Sequence, residues 1–320
     1  MEKPRILAVV GPTASGKTSL SVTLAERLGG EVISCDSMQI YRRMDIGTAK
    51  PTTEEMRGVR HHLLDIVDPE QPFSVNDYVE AAKAAVQDIL SRGKLPVFCG
   101  GTGLYLDAFL RGGLPETPAA DPALRAELQA FADTHGEDLL HRELAAVDPE
   151  SAAATHKNNV RRVIRALEVY RLTGISKSEW DRRSNEQPSL YDAAVLGLLF
   201  DDRSLLNARI DARVDEMLRL GLVEETAALL REGVFAHSPT AAAAIGYKEL
   251  LPFLQGTCTL EDATEKLKIA THRYAKRQMT WFSAKPYVRW INMNEGNTLR
   301  KSEEIVNNAL ESAEARWNMI

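Results

Sequence analysis

The segment Gly11-Pro12-Thr13-Ala14-Ser15-Gly16-Lys17-Thr18 fits the pattern G-x-x-x-x-G-K-[S/T] and directly follows the apolar residues 6–10. Such an apolar run predicts a buried parallel strand, and residues 17–28 predict a helix. The backbone N–H groups of the loop, the positive end of the helix and the charge of Lys17 favour an anion, and the Thr18 hydroxyl can hold Mg²⁺. The segment therefore predicts a cradle for a phosphate or diphosphate.

Strand and helix patterns alternate beyond this segment. Residues 31–35 and 95–99 predict two more buried strands. Between them, Ser74 and Asp77 form a capping-box pattern that opens a helix ending near Gly93. This alternation predicts an α/β fold, with a P-loop parallel-sheet core flanked by helices.

The pattern changes after residues 112–115. From Asp121 to about Arg183 the chain predicts helices only, whereas residues 193–200 return it to the sheet and helices are expected through most of the last third. We therefore expect three segments: residues 1–117 as the first part of the core, 118–187 as an all-helical insertion domain, and 188–320 as the mostly helical second part of the core.

The charge balance limits how the chain could bind a nucleic acid. Lys and Arg number 39 against 45 for Asp and Glu, which gives a net charge of −6 and no globally basic surface. Two local clusters are nevertheless basic: Lys157, Arg161, Arg162 and Arg165 in the insertion, and the acid-free residues 266–290, which also carry aromatic residues. Either cluster alone is typical of a solvated helix face, but together they favour a polyanionic partner.

Several classes of protein are excluded or disfavoured. Cys35, Cys99 and Cys258 are odd in number and lack metal-site spacing, which favours free thiols over a disulfide framework or a structural metal. No run of about eighteen apolar residues lacks a charge, so neither a membrane span nor a membrane partner is expected. The run 6–10 is too short for a signal peptide, and we expect a cytoplasmic protein.

The phosphate cradle lacks one feature of motor-type ATPases. Those proteins carry a Mg²⁺-binding acid after a following strand, but the strand 95–99 continues into Gly100-Gly101. Asp36 instead follows the strand 31–35, at the sheet edge where ligands bind, although a turn or cap aspartate is the alternative. Arg209 and Arg213, four residues apart on a helix, could face the loop or simply be exposed.

A pair of histidines raises the question of a metal site. His61 and His62 are followed closely by Asp65 and Asp68. The segment is more typical of a structural element that leads into a strand or turn.

The chain resembles the tRNA dimethylallyltransferases, the tRNA adenosine isopentenyltransferase family, in ordered blocks from residue 11 to about residue 281. The blocks are residues 11–18, 36–41, 44–51, 62–65, 100–105, 165–168, 245–248 and 275–278. Residues 241–244, His272 and Ser283 depart from the commoner pattern of that family.

The resemblance implies transfer of a dimethylallyl group from dimethylallyl diphosphate to the exocyclic amine of the adenosine just 3′ of a tRNA anticodon. It implies diphosphate in the loop 11–18, Asp36 as general base, Thr13 and Arg213 near the diphosphate, and Thr18 on Mg²⁺, the one cofactor expected. The partners implied are dimethylallyl diphosphate and the anticodon stem-loop of tRNAs that read codons beginning with U. The insertion would clamp the anticodon arm, and the chain would act as a monomer.

The resemblance also assigns contacts to tRNA. They are Asp36, Ser37, Met38, Gln39, Thr102, Arg125, Arg161, Arg162, Val163, Ile164, Arg165, Gly246, Tyr247, Lys248, Lys276, Arg277, Gln278 and Trp281. The alternative function is a P-loop nucleoside or nucleotide kinase, with Lys17 on a triphosphate, Asp36 activating a hydroxyl and the insertion as a lid. A regulatory P-loop module is a third interpretation, but no switch motif supports it.

Overall fold

A computed structural model describes residues 3–113, 121–186 and 188–317, with the backbone alone for residues 184–186. The chain forms two compact units, Met1–Leu110 with Leu190–Ile320, and Arg111–Ser189. The segment boundaries expected after residues 117 and 187 lie at positions outside the described residues.

Parallel strands form the centre of the first unit. The strands are β1 Arg5–Val10, β2 Gly30–Ser34, β3 His61–His62, β4 Leu95–Gly100, β5 Asp192–Leu199, β6 Val288–Asn292, β7 Asn294–Glu295 and β8 Thr298–Leu299. The first six make one parallel sheet in the order β3-β2-β4-β1-β5-β6, and β7 and β8 form a separate antiparallel pair. The predicted α/β fold is confirmed.

The middle strand, β1, determines where a ligand can bind. It pairs with β4 on one side and β5 on the other, so the order of the strands changes direction there. All but its first residue are buried, because helices cover both faces of a parallel sheet. In such sheets ligands bind beyond the carboxyl ends of the strands at this switch point, and the loop after Val10 lies there.

Helices connect and cover the strands. They are α1 Lys17–Leu28, α2 Thr53–Met56, α3 Val75–Ser91, α4 Gly103–Leu110, α5 Pro122–His135, α6 Glu137–Val147, α7 Pro149–Ala154, α8 Val160–Thr173, α9 Lys177–Glu186, α10 Arg203–Arg219, α11 Leu222–Arg231, α12 Val234–His237, α13 Pro239–Ala242, α14 Tyr247–Leu254, α15 Leu260–Ser283 and α16 Ser302–Trp317. The capping box predicted for α3 is present, since Ser74 accepts from the Asp77 N–H and the Asp77 carboxylate accepts from the Ser74 N–H. Local sequence therefore sets the start of this helix.

The described part of the second unit consists of the five helices α5–α9. Their apolar faces meet in a core that includes Leu128, Leu140, Leu144, Val163 and Leu167, each at most 2% exposed. The unit therefore has a hydrophobic core of its own.

The last third of the chain differs from the expected run of helices. Residues 288–292 form β6, which pairs with β5 at the edge of the sheet from Val195 and Val288 onward. Arg289 and Trp290, which we assigned to a basic and aromatic cluster, therefore lie in a strand. An edge strand tolerates a charged side chain, and such a charge interrupts the apolar pattern by which a strand is predicted from sequence.

The described helices include none with the length and apolarity needed to cross a membrane.

Candidate active site

The loop between β1 and α1 has the geometry of an anion cradle. Gly11 has φ +138°, and a Cβ there would lie 3.0 Å from the carbonyl oxygen of Leu198, so this position needs glycine. Gly16 precedes α1 and offers no side chain to cap it, which leaves the first N–H groups of the helix for a ligand. Lys17 folds back so that its Nζ donates to the Pro12 carbonyl at 2.6 Å.

Ser15 and Thr13 of the loop differ in burial and in hydrogen bonding. Ser15 is fully buried, and its hydroxyl has no hydrogen-bond partner within the described ranges. The backbone N–H of Thr13 donates to Gln278 Oε1 at 2.8 Å. The hydroxyl of Thr13 is therefore the polar group that this residue has left for a diphosphate.

Three cationic side chains surround the loop. Arg209 of α10 donates from Nε to the Ala14 carbonyl at 2.8 Å, and Arg213 lies one helical turn further along. Burial lowers the pKa of Lys17 to about 8, and the charge of Arg213 adds to this effect. Burial likewise lowers the pKa of Arg213, against the opposing charges of Glu55 and Asp36. An anion would relieve this concentration of positive charge.

Asp36 lies just beyond β2, within electrostatic reach of Lys17 and Arg213. Its Oδ1 accepts the Met38 N–H at 2.9 Å, which is the turn interaction considered as the alternative. Burial nevertheless raises the pKa of Asp36 above its ordinary value, although the Met38 N–H and the charges of Lys17 and Arg213 oppose the shift. A half-buried carboxylate with a raised pKa is the form of group that accepts protons in enzymes.

The turn between β4 and α4 brings Thr102 to the same place. Its Oγ1 accepts the Ser37 N–H at 3.1 Å, and its own N–H donates to the Cys35 carbonyl at 3.2 Å. Cys99, where a motor ATPase would carry its acid, instead places a thiol beside the hydroxyls of Ser21 and Thr18. Burial raises the pKa of Cys99, so this thiol supplies no charge for a metal.

Glu225, which we did not predict from the sequence, organises the segment next to Asp36. Its carboxylate accepts the N–H groups of Asp45, Ile46 and Gly47 at 2.8–3.0 Å, and the Tyr247 hydroxyl at 2.7 Å. Tyr247 is fully buried, so its ring lies inside this network and not at the surface. No local pattern marks Glu225, because its partners lie 22 to 180 residues away.

Gln39 and its neighbours link this segment to β2. The side-chain amide of Gln39 donates to the carbonyls of Thr48 and Ala49 at 3.2 and 3.1 Å, and its oxygen accepts from Ser34 Oγ at 2.9 Å. Ser37 and Met38 are half-buried beside it. The amide of Gln39 is therefore engaged within the protein.

The predicted tRNA contacts in the helical unit fall into three groups: exposed residues, core residues and residues in ion pairs. Arg161 and Arg162 are exposed, whereas Val163 and Ile164 pack into the unit's hydrophobic core, so their side chains do not reach solvent. Arg125 and Arg165 bind Glu168, a fully buried carboxylate, at 2.8 and 2.5 Å. We predicted no role for Glu168 from the sequence, although it lies three residues after Arg165 on the same helix face.

The predicted contacts in the first unit also differ in exposure. Lys248, Lys276 and Arg277 are exposed, and Trp281 is 37% exposed, with Lys285 Nζ at 5.1 Å from its ring centre. Gly246 and Gln278 are buried.

Other members of the basic and aromatic run have structural roles. Lys285 pairs with Asp107 at 2.6 Å, Tyr287 donates to the same carboxylate, and Phe282 is buried. The interpretation of residues 266–290 as one nucleic-acid cluster is therefore too broad.

The histidines and the nearby acids do not converge on a metal. Asp65 pairs with Lys50 and Asp68 with Arg42. His62, with Glu31 and Asp88, forms the one close group of three possible ligands among the described residues. The Glu31 carboxylate in that group is already bound by two cations, Arg92 and Lys94, so the group is structural.

A phosphate loop and a half-buried carboxylate at the switch point of a parallel sheet define a P-loop protein that acts on a phosphate ester. Comparisons with known proteins agree with this arrangement. A family model described as IPP transferase matches residues 39–285. The chain is 48% identical over 305 residues to a tRNA dimethylallyltransferase of Halalkalibacterium halodurans, covering 95% of this chain and 96% of the relative. It is 49% identical over 302 residues to the tRNA dimethylallyltransferase of Geobacillus thermodenitrificans, covering 94% and 95%.

Solved structures are similar over most of the chain. The full-length tRNA isopentenylpyrophosphate transferase of Bacillus halodurans has a TM-score of 0.72 and 44% identity, covering 99% of both chains. A eukaryotic dimethylallyltransferase acting on tRNA has a TM-score of 0.72 and 30% identity, covering 90% of this chain and 74% of its own. The chain belongs to the IPP transferase family. The matches do not favour the kinase alternative.

Proposed function

We propose that the chain transfers the dimethylallyl group of dimethylallyl diphosphate to the exocyclic amine of the adenosine 3′-adjacent to the anticodon, in tRNAs that read codons beginning with U. The observation that carries this proposal is the half-buried Asp36 carboxylate, close enough to Lys17 and Arg213 of the anion cradle for their charges to shift its pKa. One site thus contains both cationic groups that can bind a diphosphate and a carboxylate that can accept a proton. The named relatives support the same activity.

The acceptor needs a base because its lone pair is delocalised into the adenine ring, which makes the amine a poor nucleophile. As the new C–N bond forms and the C–O bond to diphosphate breaks, Asp36 takes a proton from the amine. The raised pKa of Asp36 makes its carboxylate a better proton acceptor than an exposed aspartate. The adenine must leave its stack to reach this carboxylate.

The leaving diphosphate gains negative charge as the C–O bond breaks. The ammonium of Lys17, the guanidinium of Arg213 and the loop N–H groups offset that charge. The Thr13 hydroxyl, which adjoins the N–H held by Gln278, is the loop's further donor. We assign Lys17, Arg213 and Thr13 to the leaving group on this basis.

We also propose Mg²⁺ as the cofactor. Mg²⁺ prefers oxygen ligands and commonly binds substrate phosphates while keeping several waters. The Thr18 hydroxyl in the first turn of α1 fits such a site, in which the diphosphate would supply the other oxygens. Bound there, the ion would neutralise charge on the departing diphosphate. Removing Mg²⁺ with a chelator should slow transfer at saturating tRNA, and unchanged rates would contradict this role.

The RNA would meet exposed cations in both units. Arg161 and Arg162 on α8, and Lys276 and Arg277 on α15, offer charge for phosphates, whereas the partly exposed Trp281 offers a ring for a base. A tRNA-modifying chain of this kind would work in the cytoplasm. We propose that it acts as a monomer, which size-exclusion chromatography with light scattering would test.

The decisive experiment incubates the purified chain with dimethylallyl diphosphate and unmodified tRNA, in parallel with ATP and small acceptors. Mass spectrometry of oligonucleotides from a ribonuclease digest should locate isopentenyladenosine at the 3′-adjacent position only. Phosphorylation of a small acceptor without prenylated tRNA would instead establish the kinase function.

A further inference from the structure

Gln278 uses both polar atoms of its side-chain amide in hydrogen bonds within the protein. The residue lies in α15 and is 5% exposed. Its Oε1 accepts the Thr13 N–H at 2.8 Å, and its Nε2 donates to the Gly101 carbonyl at 3.2 Å. An N–H can only donate and a carbonyl can only accept, so these two partners permit one orientation of the amide.

The turn after β4 is shaped around this amide. A Cβ at position 101 would lie 1.8 Å from Gln278 Nε2, so only glycine admits the side chain. The same turn carries Thr102, whose Oγ1 accepts the Ser37 N–H. Gln278 therefore joins the phosphate loop to the turn that holds the residue next to Asp36.

We propose that Gln278 is a positioning residue of the diphosphate site and not a contact to tRNA. Its amide holds the loop at Thr13 against the β4–α4 turn, which sets the spacing between the anion cradle and the Asp36 carboxylate. The amide also occupies the Thr13 N–H, which then cannot donate to the anion, and it fixes the orientation of the rest of the loop. The inference rests on the proposed function in taking diphosphate as the ligand.

Two substitutions separate this role from RNA binding. Gln278→Met keeps the length of the side chain and loses both hydrogen bonds. Gln278→Glu keeps an acceptor for the Thr13 N–H but places an oxygen against the Gly101 carbonyl. We expect both variants to weaken pyrophosphate binding, measured by calorimetry on the full chain, by roughly tenfold. Affinity for tRNA, measured by filter binding, should stay within about twofold, because an internal hydrogen bond adds no phosphate contact.

Gln255→Met is the matched control, since it makes the same change at an exposed position at the end of α14. It should alter neither affinity. Wild-type pyrophosphate affinity in Gln278→Met, or a loss confined to tRNA binding, would overturn the inference. If circular dichroism shows that Gln278→Met does not fold, Gln278→Asn decides instead, because its neutral amide adds no charge beside the cradle and is one methylene too short to hold both loops. A wild-type chain that binds pyrophosphate yet prenylates no tRNA would contradict the proposed function and leave the positioning role intact.

Discussion

Asp36 is a single carboxylate on which the proposed chemistry depends, and its substitution separates binding from reaction. Asp36→Asn keeps the shape and removes the proton acceptor, so the single-turnover rate of prenyl transfer should fall at least roughly a hundredfold. Pyrophosphate should bind no more weakly, because a negative charge near the cradle is gone. Quench-flow with labelled dimethylallyl diphosphate measures the first quantity and calorimetry the second.

Asp68→Asn provides the control, because the side chain of Asp68 is 46% exposed and pairs with Arg42. Its rate should equal that of the wild type. A near-native rate in Asp36→Asn would show that another group, or solvent, takes the proton.

The shifted pKa values of Lys17 and Asp36 predict how kcat/KM for dimethylallyl diphosphate depends on pH. Asp36 must be ionised to act as a base, and burial raises its pKa, so activity should fall on the acid side at a higher pH than for an exposed aspartate. Burial lowers the pKa of Lys17 to about 8, so the cradle should lose charge and affinity above that pH. A bell-shaped profile is expected from stopped-time assays.

Lys17→Arg checks the assignment of the basic side of the profile. A guanidinium stays charged over this range, so the decline above pH 8 should disappear even if the variant is slower overall. At saturating dimethylallyl diphosphate the decline in kcat should move to higher pH, because the bound anion stabilises the ammonium. A decline that persists unchanged in Lys17→Arg would assign it to another group.

At the scale of the element, α8 and α5 are joined through Glu168. This buried carboxylate binds Arg125 and Arg165, and their hydrogen bonds hold its pKa below the ordinary value although burial alone would raise it. A depressed pKa in the folded state contributes stability above the unfolded pKa, and this contribution is lost as the pH falls. Glu168→Gln should therefore lower the free energy of unfolding by about 2 kcal/mol at pH 7, and by less below about pH 4.

Urea denaturation followed by circular dichroism measures this effect. Glu127→Gln is the control, since Glu127 is 67% exposed and pairs with Arg171 at the surface, and it should change stability by under about 0.5 kcal/mol. Equal effects of the two substitutions would mean that Glu168 does not organise the helices. Arg165 forms an ion pair with Glu168, so its substitution would also affect stability. The exposed Arg161 and Arg162 are therefore the better probes of RNA binding on α8.

For the whole molecule, a net charge of −6 requires that tRNA meet local basic surfaces. Replacing Arg161 and Arg162, or Lys276 and Arg277, by Ala should weaken tRNA binding and flatten its dependence on salt. Each lost phosphate contact should reduce the slope of log K against log salt by about 0.7 to 0.9. Pyrophosphate affinity should be unchanged, because its cradle is formed by other residues.

Salt titrations of the wild type and both double variants test this prediction. Lys83→Ala is the control, because Lys83 pairs with Glu80 on α3, outside both basic clusters. Slopes that equal the wild-type value in both double variants would show that these cations face solvent only and that tRNA binds elsewhere.

Local patterns in the sequence determined the sheet class, the start of α3, the bounds of α1 and the phosphate loop, since each depends on neighbours within a few residues. They also placed Asp36 at the end of its strand. The edge strand β6 escaped prediction, because its sequence carries charge and its pairing partner β5 lies about ninety residues earlier.

Only the tertiary structure decided what Gln278, Glu225 and Glu168 do. Thr13 and Gln278 are 265 residues apart, and no spacing in the sequence shows that one amide joins two loops. The burial that raises the pKa of Asp36 and lowers that of Lys17 likewise arises from packing around them. A motif specifies which groups are present, whereas their charge, orientation and access to solvent depend on residues that the fold brings together.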